Sequence, residues 1–213
     1  MKKLLCEQDI LAIIKNGVKE LTVDKNTILT ALAIDRLNAA KIKLVRVNEI
    51  ASGTSGKIKS SDKFTKIAVG ADHTGFAAKG ILIKILKDKG YEVIDAGTYS
   101  DASCDYPDYA FSVAAKVLSR EACAGILIDA TGIPSAISAN KFPGIRAATC
   151  YNEFSAKSSR EHNNANILVL GAMALGIETI KSITDVWLNS KFLGDRHQRR
   201  LDKISDLEKK LFK

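Results

Sequence analysis

The 213-residue sequence predicts an α/β fold, in which a doubly wound domain with a parallel sheet follows a small, mainly helical N-terminal extension. From residue 66 onward, short apolar runs alternate with segments of helical periodicity. The apolar runs carry no polar face, which is typical of strands that helices cover on both sides. A hydrophobic content of 46% is enough to bury one substantial core. We therefore expect a Rossmann-like three-layer sandwich with about five strands.

The predicted elements follow one another in regular order through the second part of the chain. Strands are expected over 67–70, 91–95, 125–128, 145–149 and 167–170. Helices are expected over 75–89, 106–119 and 153–161, from Pro134 onward, and near 178–188 and 198–211. A helix thus separates each strand from the next, which is the connection that parallel strands require.

The N-terminal part of the chain is expected to be a separate unit. Residues 51–63 are small, polar and unpatterned, as in a flexible linker, and they divide an extension (1–50) from the main domain (64–213). The extension carries helical periodicity over 10–18 and 28–37 and a short strand over 43–47. Some fifty residues seldom bury enough surface to be stable alone. The extension is therefore expected to dock, either onto its own domain or onto a partner.

Composition excludes several classes of function. The net charge is +8, but residues 1–66 hold 13 Lys/Arg against 7 Asp/Glu while residues 67–213 hold 19 against 17. No nucleic-acid motif accompanies this excess, so neither DNA nor RNA is an expected partner. No apolar run approaches the roughly 20 residues that cross a bilayer, which favours a cytoplasmic location without membrane contact. The four cysteines lack paired spacing, so no disulfides are expected. The three histidines lack ligand-like neighbours, so no metal is expected, and no other cofactor is expected either.

One stretch carries the strongest chemical signal. In Gly125–Lys141 an apolar strand runs into a carboxylate, Asp129, and then into a turn of small residues that opens a helix. Ligands of parallel α/β sheets bind at the carboxyl ends of strands, and the N–H groups of a helix start favour negative charge. Asp129 and Thr131 are therefore the first candidates for catalysis.

Three polar clusters contain the histidines. Asp72 and His73 directly follow the first strand of the domain, where a ligand is expected. His162 ends a helix before a strand, at the opposite edge of the sheet, and an ordinary histidine favoured by the helix dipole is an equal explanation. The third cluster contains Arg196 and Arg200, which suit phosphate and share a helix face if both are helical. Solvation at the surface is the ordinary explanation for such arginines.

Eight motifs of the chain resemble those of the ribose-5-phosphate isomerase B and galactose-6-phosphate isomerase family. The similarity spans about residues 66–210 and rests on Ala71–Phe76, Gly90–Tyr99, Asp105–Tyr109, Gly125–Ile128, Ala139–Lys141, Gly144–Ala148, Ser159–Asn166 and Gly194–Arg200. The resemblance implies a metal-free aldose–ketose isomerase of a phosphorylated sugar that works through a cis-enediolate. It also implies a homodimer, or a tetramer built from it, with active sites shared between subunits.

The resemblance further implies roles for individual residues. Asp129 stands in the general-base position, and Thr131 with its turn donates hydrogen bonds to the enediolate. Asp72 and His73 contact sugar and phosphate. The remaining implied substrate-binding residues belong to the turn, to the position after the second histidine and to the third cluster: Ala130, Gly132, Ile133, Asn163, Arg196 and Arg200. His162 is implied to help open the sugar ring across the dimer interface.

Three departures from the family pattern leave a second interpretation open. Many members have a cysteine where this chain has Asp129, and Ala130 and Pro134 replace glycines. An aspartate can abstract a proton next to a carbonyl. Pro134 removes an N–H donor, although a proline that simply begins a helix loses nothing. Met173 stands where the family usually has a phosphate-binding arginine. The alternative is therefore a catalytically altered sugar-phosphate-binding or scaffold protein on the same fold.

The extension carries a second, shorter resemblance. Residues 27–46, after an amphipathic helix, are similar to N-terminal segments of bacterial microcompartment enzymes, such as those of ethanolamine utilisation. The resemblance implies that residues 1–50 bind a shell or core partner and place the enzyme inside a microcompartment. The alternative is an extension that packs on its own domain.

Overall fold

The computed structural model describes residues 4–5, 10, 13–14, 20–24, 27–47 and 64–211. The chain divides into two compact units, Met1–Lys59 and Ser60–Lys213. The predicted linker over 51–63 lies outside the described residues, and the division of the chain at that linker stays a prediction.

The first unit contains more strand than its periodicity predicts. Its elements are β1 (Leu4–Leu5), β2 (Glu20–Asp24), β3 (Ile28–Leu29), α1 (Ala31–Ala39) and β4 (Lys43–Val47). Strands β1 and β3 pair in parallel, as do β2 and β4. The helix expected over 28–37 begins only at Ala31, because Thr30 caps it by accepting the Ala33 N–H at 3.2 Å. Of the helix expected over 10–18, the described residues 10, 13 and 14 are helical.

The second unit confirms the predicted α/β architecture. Its elements are β5 (Lys66–Ala71), α2 (Phe76–Asp88), β6 (Glu92–Asp95), α3 (Tyr106–Leu118), β7 (Ala124–Asp129), α4 (Ile133–Ala139), β8 (Ala147–Thr149), α5 (Glu153–Glu161), β9 (Ile167–Gly171), α6 (Ile177–Asn189) and α7 (Asp195–Leu211). The five strands form one parallel sheet in the order β6-β5-β7-β9-β8.

Apolar clusters cover both faces of this sheet. One cluster, which contains Trp187, joins α2 and α6 to the sheet, and the other joins α3 and α4 to the opposite face. The central strands β5, β7 and β9 alternate their side chains between the two clusters, so both sets are buried. The predicted absence of a polar strand face thus has its physical reason in this three-layer packing.

Two boundaries of the second unit differ from the prediction by more than one residue. Strand β8 begins at Ala147 instead of residue 145, because the Arg146 N–H is bonded to the side-chain oxygen of Asn166 at 2.7 Å. Helix α7 begins at Asp195, three residues earlier than expected. The earlier start puts Arg196 and Arg200 on one helix, one turn apart.

The strand order locates the crevice in which a ligand is expected. From β5 the chain first moves to β6 on one side and then returns to β7 on the other. The loops that follow β5 and β7 therefore diverge from neighbouring strand ends, and such a switch point is where open α/β sheets bind ligands. In the part of the chain that the structure describes, no helix is long and apolar enough to span a membrane.

Candidate active site

Asp129 is the last residue of β7, and its carboxylate organises the turn that follows. The side chain is 0% exposed. Oδ1 accepts the backbone N–H groups of Thr131 at 2.9 Å and Gly132 at 2.5 Å, and Oδ2 accepts that of Ser135 at 3.0 Å. Carboxylates are strong acceptors of such backbone donors at helix starts. Asp129 therefore holds the turn and the first residues of α4 in place.

The remaining donors of this turn are also accounted for. The Ile133 N–H is bonded to Thr131 Oγ1 at 3.2 Å. Pro134, the second residue of α4, has no N–H. No helix hydrogen bond is lost, because an N–H at that position has no partner within the helix. Each backbone N–H from Thr131 to Ser135 is thus bonded to a side chain of the same segment. A hydrogen bond from one of these backbone N–H groups to an enediolate requires that its present bond open, whereas the Thr131 O–H is itself a further donor.

Glycines allow the turn to sit close to the neighbouring strand. Gly132 has a φ of 81°, which other residues adopt at a cost. A Cβ on Gly171, at the end of β9, would lie 2.6 Å from the Thr131 backbone. Thr149 and Tyr151 add hydrogen bonds to the turn, the first to the Gly132 carbonyl at 2.8 Å and the second to the Thr131 carbonyl at 3.0 Å.

Asp72 repeats the same device at the end of β5. Its buried Oδ1 accepts the Thr74 N–H at 2.9 Å, the Thr74 hydroxyl at 2.6 Å and the Gly75 N–H at 3.1 Å. A Cβ on Gly75 would overlap the carbonyl oxygen of Ile128, and that oxygen accepts the Asp72 N–H at 3.2 Å, so the loop after β5 packs against the end of β7. The structure therefore brings the predicted residues Asp72 and Asp129 to one edge of the sheet.

His73 is half-buried in the same loop and contacts Cys104. Its Nδ1 lies 3.3 Å from the backbone nitrogen of Cys104, 3.2 Å from the carbonyl oxygen and 3.9 Å from Sγ. These contacts fix the ring beside the segment that leads into α3. No local pattern indicates this pairing, because the two residues are 31 positions apart and Cys104 has no motif of its own.

The second polar cluster gathers around His162, the C-cap residue of α5. Its ring stacks on the ring of His197, with centroids 4.3 Å apart and planes within 6°. Arg196 and Arg200 are exposed on the same helix as His197, and Arg196 Nε donates to His197 Nε2 at 3.4 Å. Asn163 is exposed and lines a groove of about 390 Å³ together with Arg146.

A buried arginine supports the end of α5. Arg160 Nη1 donates to the Asn164 side chain at 3.0 Å and to the Ala165 carbonyl at 2.5 Å, and its guanidinium lies over the Phe64 and Trp187 rings at 4.7 and 5.3 Å. Burial lowers the pKa of Arg160 to about 10, and the nearby positive charge of Arg146 acts in the same direction.

The two clusters lie at opposite edges of the sheet. His162 precedes Ile167, the first residue of β9, which pairs with Gly125 near the start of β7. Asp129 is four residues further along β7, or roughly 13 Å at about 3.3 Å per residue. Within one chain the structure therefore brings Asp72, His73, Asp129 and Thr131 together, but it does not bring His162 to them.

One residue of the second cluster, His197, is not among the site residues that the sequence predicts. His197 is only 6% exposed, although it stands in a strongly polar stretch. Its burial follows from helical spacing, because His197 and the buried Leu201 are one turn apart on the inner face of α7. Met173, by contrast, is 76% exposed next to the turn, and its N–H is bonded to the Ala130 carbonyl at 2.9 Å.

A parallel sheet with buried carboxylates and a histidine at its switch point defines the second unit as a Rossmann-like enzyme domain for a small polar ligand. Comparison with known proteins narrows this class to one family. The model of the Ribose/Galactose Isomerase family matches residues 67–204. The chain belongs to this family and is a sugar-phosphate isomerase by class, which confirms the family resemblance of the motifs.

Relatives and solved structures agree with this assignment. Ribose-5-phosphate isomerase B of Escherichia coli K12 is 46% identical over 145 residues, which are 68% of this chain and 97% of that protein. The structure of ribose-5-phosphate isomerase B from Clostridium thermocellum is 49% identical, with a TM-score of 0.68, and covers 68% of this chain and 99% of its own. The Mycoplasma genitalium enzyme with bound ribulose-5-phosphate is 42% identical, with a TM-score of 0.65, and covers 68% and 97%.

Proposed function

We propose that this chain interconverts an aldose phosphate and a ketose phosphate of the ribose 5-phosphate and ribulose 5-phosphate type. The observation that carries the proposal is the contact of the loop after β5 with Ile128 at the end of β7, which puts Asp72 and His73 at the same edge of the sheet as the turn that holds Thr131. The names of the relatives support the substrate class, and ribulose-5-phosphate is bound in the Mycoplasma genitalium structure.

The proposed reaction proceeds through a cis-enediolate and needs no external oxidant. A base takes the proton from C2 of the open-chain aldose, and the electron pair forms the C1–C2 double bond while the carbonyl oxygen O1 gains a proton. The hydroxyl on C2 then loses its proton, C2 becomes the carbonyl carbon, and a proton adds to C1. Thr131 and the turn residues Ala130, Gly132 and Ile133 face the negative charge of this intermediate in the proposal.

Asp129 is the proposed base because it ends β7 at the switch point. A carboxylate has about four acceptor positions, and three backbone donors occupy three of them. The fourth must reach the C2 proton if the residue is to act as a base. The proposal therefore requires that substrate binding or a small opening of the turn exposes a carboxylate that is buried in the free chain.

The same geometry favours a second candidate function. The Asp129 carboxylate is 0% exposed and bonded to its own turn, as expected of a residue with a structural role. It also occupies backbone N–H groups that could otherwise donate to an anionic intermediate. The chain would then bind a sugar phosphate without converting it. This alternative is a catalytically altered binding or scaffold protein on an isomerase fold.

Turnover and binding together separate the two candidates. The wild-type chain and the Asp129→Asn variant are assayed with a panel of pentose and hexose phosphates, and binding is measured by calorimetry. If the wild type isomerises a substrate, and Asp129→Asn still binds that substrate but does not convert it, the result supports Asp129 as the base. Binding without turnover in the wild type supports the alternative. Asp101→Asn, in an exposed loop, is the matched control.

We also propose that the active site is shared between two copies of the chain. His162, Asn163, Arg196 and Arg200 lie at the edge opposite Asp129, so a site that combines both sets takes one set from each protomer. His162 opens the sugar ring and Asn163 holds a hydroxyl in this proposal, while the arginines bind phosphate. A tetramer would contain two such dimers, each with its own shared sites.

Complementation tests the shared site. His73→Ala and His162→Ala are each expected to be inactive, but a mixture exchanged under mild denaturant contains heterodimers with one intact site. Random pairing in equal amounts restores about a quarter of the wild-type activity. No recovery, although mass spectrometry shows heterodimers, contradicts shared sites.

The extension has a separate proposed role. We propose that residues 1–50 bind a shell or core partner of a bacterial microcompartment, within a cytoplasmic location. Its small apolar core is formed by Leu5, Ile10, Val23, Leu29, Ala33, Leu37 and Ile42. Full-length chain and a variant without residues 1–50 are co-expressed with microcompartment shell proteins, and co-purification of the full-length chain alone supports the proposal.

A further inference from the structure

The stacked histidines link two helices that the chain keeps far apart. His162 closes α5 and His197 lies in the first turn of α7, 35 residues later. The segment before α7 is fastened to the end of α5, because the Leu193 N–H is bonded to the Glu161 carbonyl at 3.0 Å. The near-parallel rings, 4.3 Å apart, are therefore part of a defined junction.

His197 is a neutral, buried ring in this junction. Its Nε2 accepts from Arg196 Nε, which places the proton of the neutral ring on Nδ1. Burial lowers the pKa of His197, the positive charges of His162, Arg196 and Arg200 act in the same direction, and Asp195 opposes them. A neutral ring can stack on His162 without adding a charge beside it.

His162 is held on two sides. Ser158 Oγ lies 3.1 Å from Nδ1, and one ring face is covered by His197. Among the described residues, Nε2 is the nitrogen left without a hydrogen bond, so it is the one available to a substrate oxygen. Its direction depends on the ring plane, which His197 fixes.

We infer that His197 is a positioning residue for the isomerase reaction, an inference that rests on the proposed function. It sets the ring plane of His162, the proposed ring-opening group, and through Nε2 it sets Arg196, a proposed phosphate ligand. One buried ring thus fixes the distance between the group that acts at the sugar ring and the group that binds phosphate. Misplacement of the His162 ring lowers the rate more than it weakens binding, whereas misplacement of Arg196 weakens binding of the phosphate.

Two substitutions separate stacking from bulk structure. His197→Ala removes the stacked ring, whereas His197→Phe keeps an aromatic face for His162 but loses the acceptor for Arg196. With ribose 5-phosphate as substrate, we expect His197→Ala to lower kcat roughly 10- to 100-fold with a smaller change in KM. His197→Phe should recover most of kcat but keep a KM above that of the wild type, because it also lacks the acceptor for Arg196. Arg199→Ala, exposed on the same helix turn, is the control that keeps wild-type values.

A second measurement does not depend on turnover. In proton NMR, the ring protons of His162 should be shifted upfield by the ring current of the stacked neighbour in the wild type and in His197→Phe, but not in His197→Ala. Wild-type kcat in a folded His197→Ala variant that has lost this upfield shift overturns the inference. Should the wild type convert no sugar phosphate, the proposed function fails, and an absent upfield shift in the wild type would then reject the stacking itself.

Discussion

Asp129 Oδ2 accepts the backbone N–H of Ser135 at 3.0 Å, a hydrogen bond that joins the end of β7 to the third residue of α4. The carboxylate passes over two residues to reach this donor, because the Ile133 N–H is bonded to Thr131 Oγ1 and Pro134 has no N–H. The same carboxylate holds Thr131 and Gly132 through its other oxygen. One side chain therefore determines the shape of the turn that forms the centre of the candidate site.

The first prediction concerns this carboxylate. Asp129→Asn replaces one acceptor oxygen with an NH₂ group, which leaves a buried backbone donor unpaired. We expect the free energy of unfolding to fall by about 1–3 kcal/mol, measured by urea denaturation. The control Asp101→Asn, in an exposed loop, should stay within about 0.5 kcal/mol of the wild type. Equal stability of the two variants would show that the turn does not depend on the charge.

The second prediction concerns the contact between β9 and the turn. Gly171→Ala places a methyl group against the Thr131 backbone, so the turn must move. We expect a loss of about 1–3 kcal/mol in stability from overpacking, together with weaker binding of sugar phosphates in calorimetry.

Gly80→Ala is the matched control for Gly171→Ala. Gly80 is exposed within α2, and a Cβ added there would meet no atom within 4 Å. Because alanine is a better helix former, this variant should gain about 0.5–1 kcal/mol and bind ligand like the wild type. A similar loss in both variants contradicts the assignment of the effect to the turn.

The third prediction concerns the buried guanidinium of Arg160, near the C-terminal end of α5. Arg160→Ala removes a side chain that lies over two aromatic rings and donates to the Ala165 carbonyl. We expect a loss of about 2–4 kcal/mol in chemical denaturation. Lys157→Ala, on the exposed face of the same helix, removes a contact of 3.9 Å with Glu161 and should cost no more than about 0.5 kcal/mol. A smaller loss at Arg160 than at Lys157 would refute this role.

The fourth prediction is a pH dependence of stability. The pKa of His197 is lowered below its ordinary value of 6.5 in the folded chain, mainly by burial. Below pH 6.5 the unfolded chain therefore binds more protons at this residue than the folded chain does. Its contribution to stability is complete above about pH 7 and decreases as the pH falls through the interval below 6.5.

Thermal denaturation measures this contribution as a difference between two proteins. The Tm of the wild type should fall more steeply from pH 7 to pH 5 than that of His197→Phe, which has no titrating group there. The comparison removes the common effect of the carboxylates. Parallel curves for the two proteins would contradict a lowered pKa at His197.

Much of the architecture is readable from local pattern. The alternation of apolar runs with helical periodicity predicted five parallel strands, and the motifs around Asp72, Asp129 and His162 indicated the family. Boundaries failed where a distant side chain intervened, as at Arg146, whose N–H is taken by Asn166. In the first unit, strand β2 was missed because its five residues form a strand only by pairing with β4.

The sequence by itself determined the order of strands and helices, the family, and which polar residues follow which strand, because periodicity and spacing act between neighbours in the chain. The element order also predicted that His162 lies at the edge of the sheet opposite Asp129. Tertiary structure alone decided that the Asp129 carboxylate is fully buried and that His162 stacks on His197. The burial depends on the strands and helices packed around β7, and the stacked rings belong to residues 35 positions apart. Such contacts form when the sheet assembles, and no local pattern specifies them.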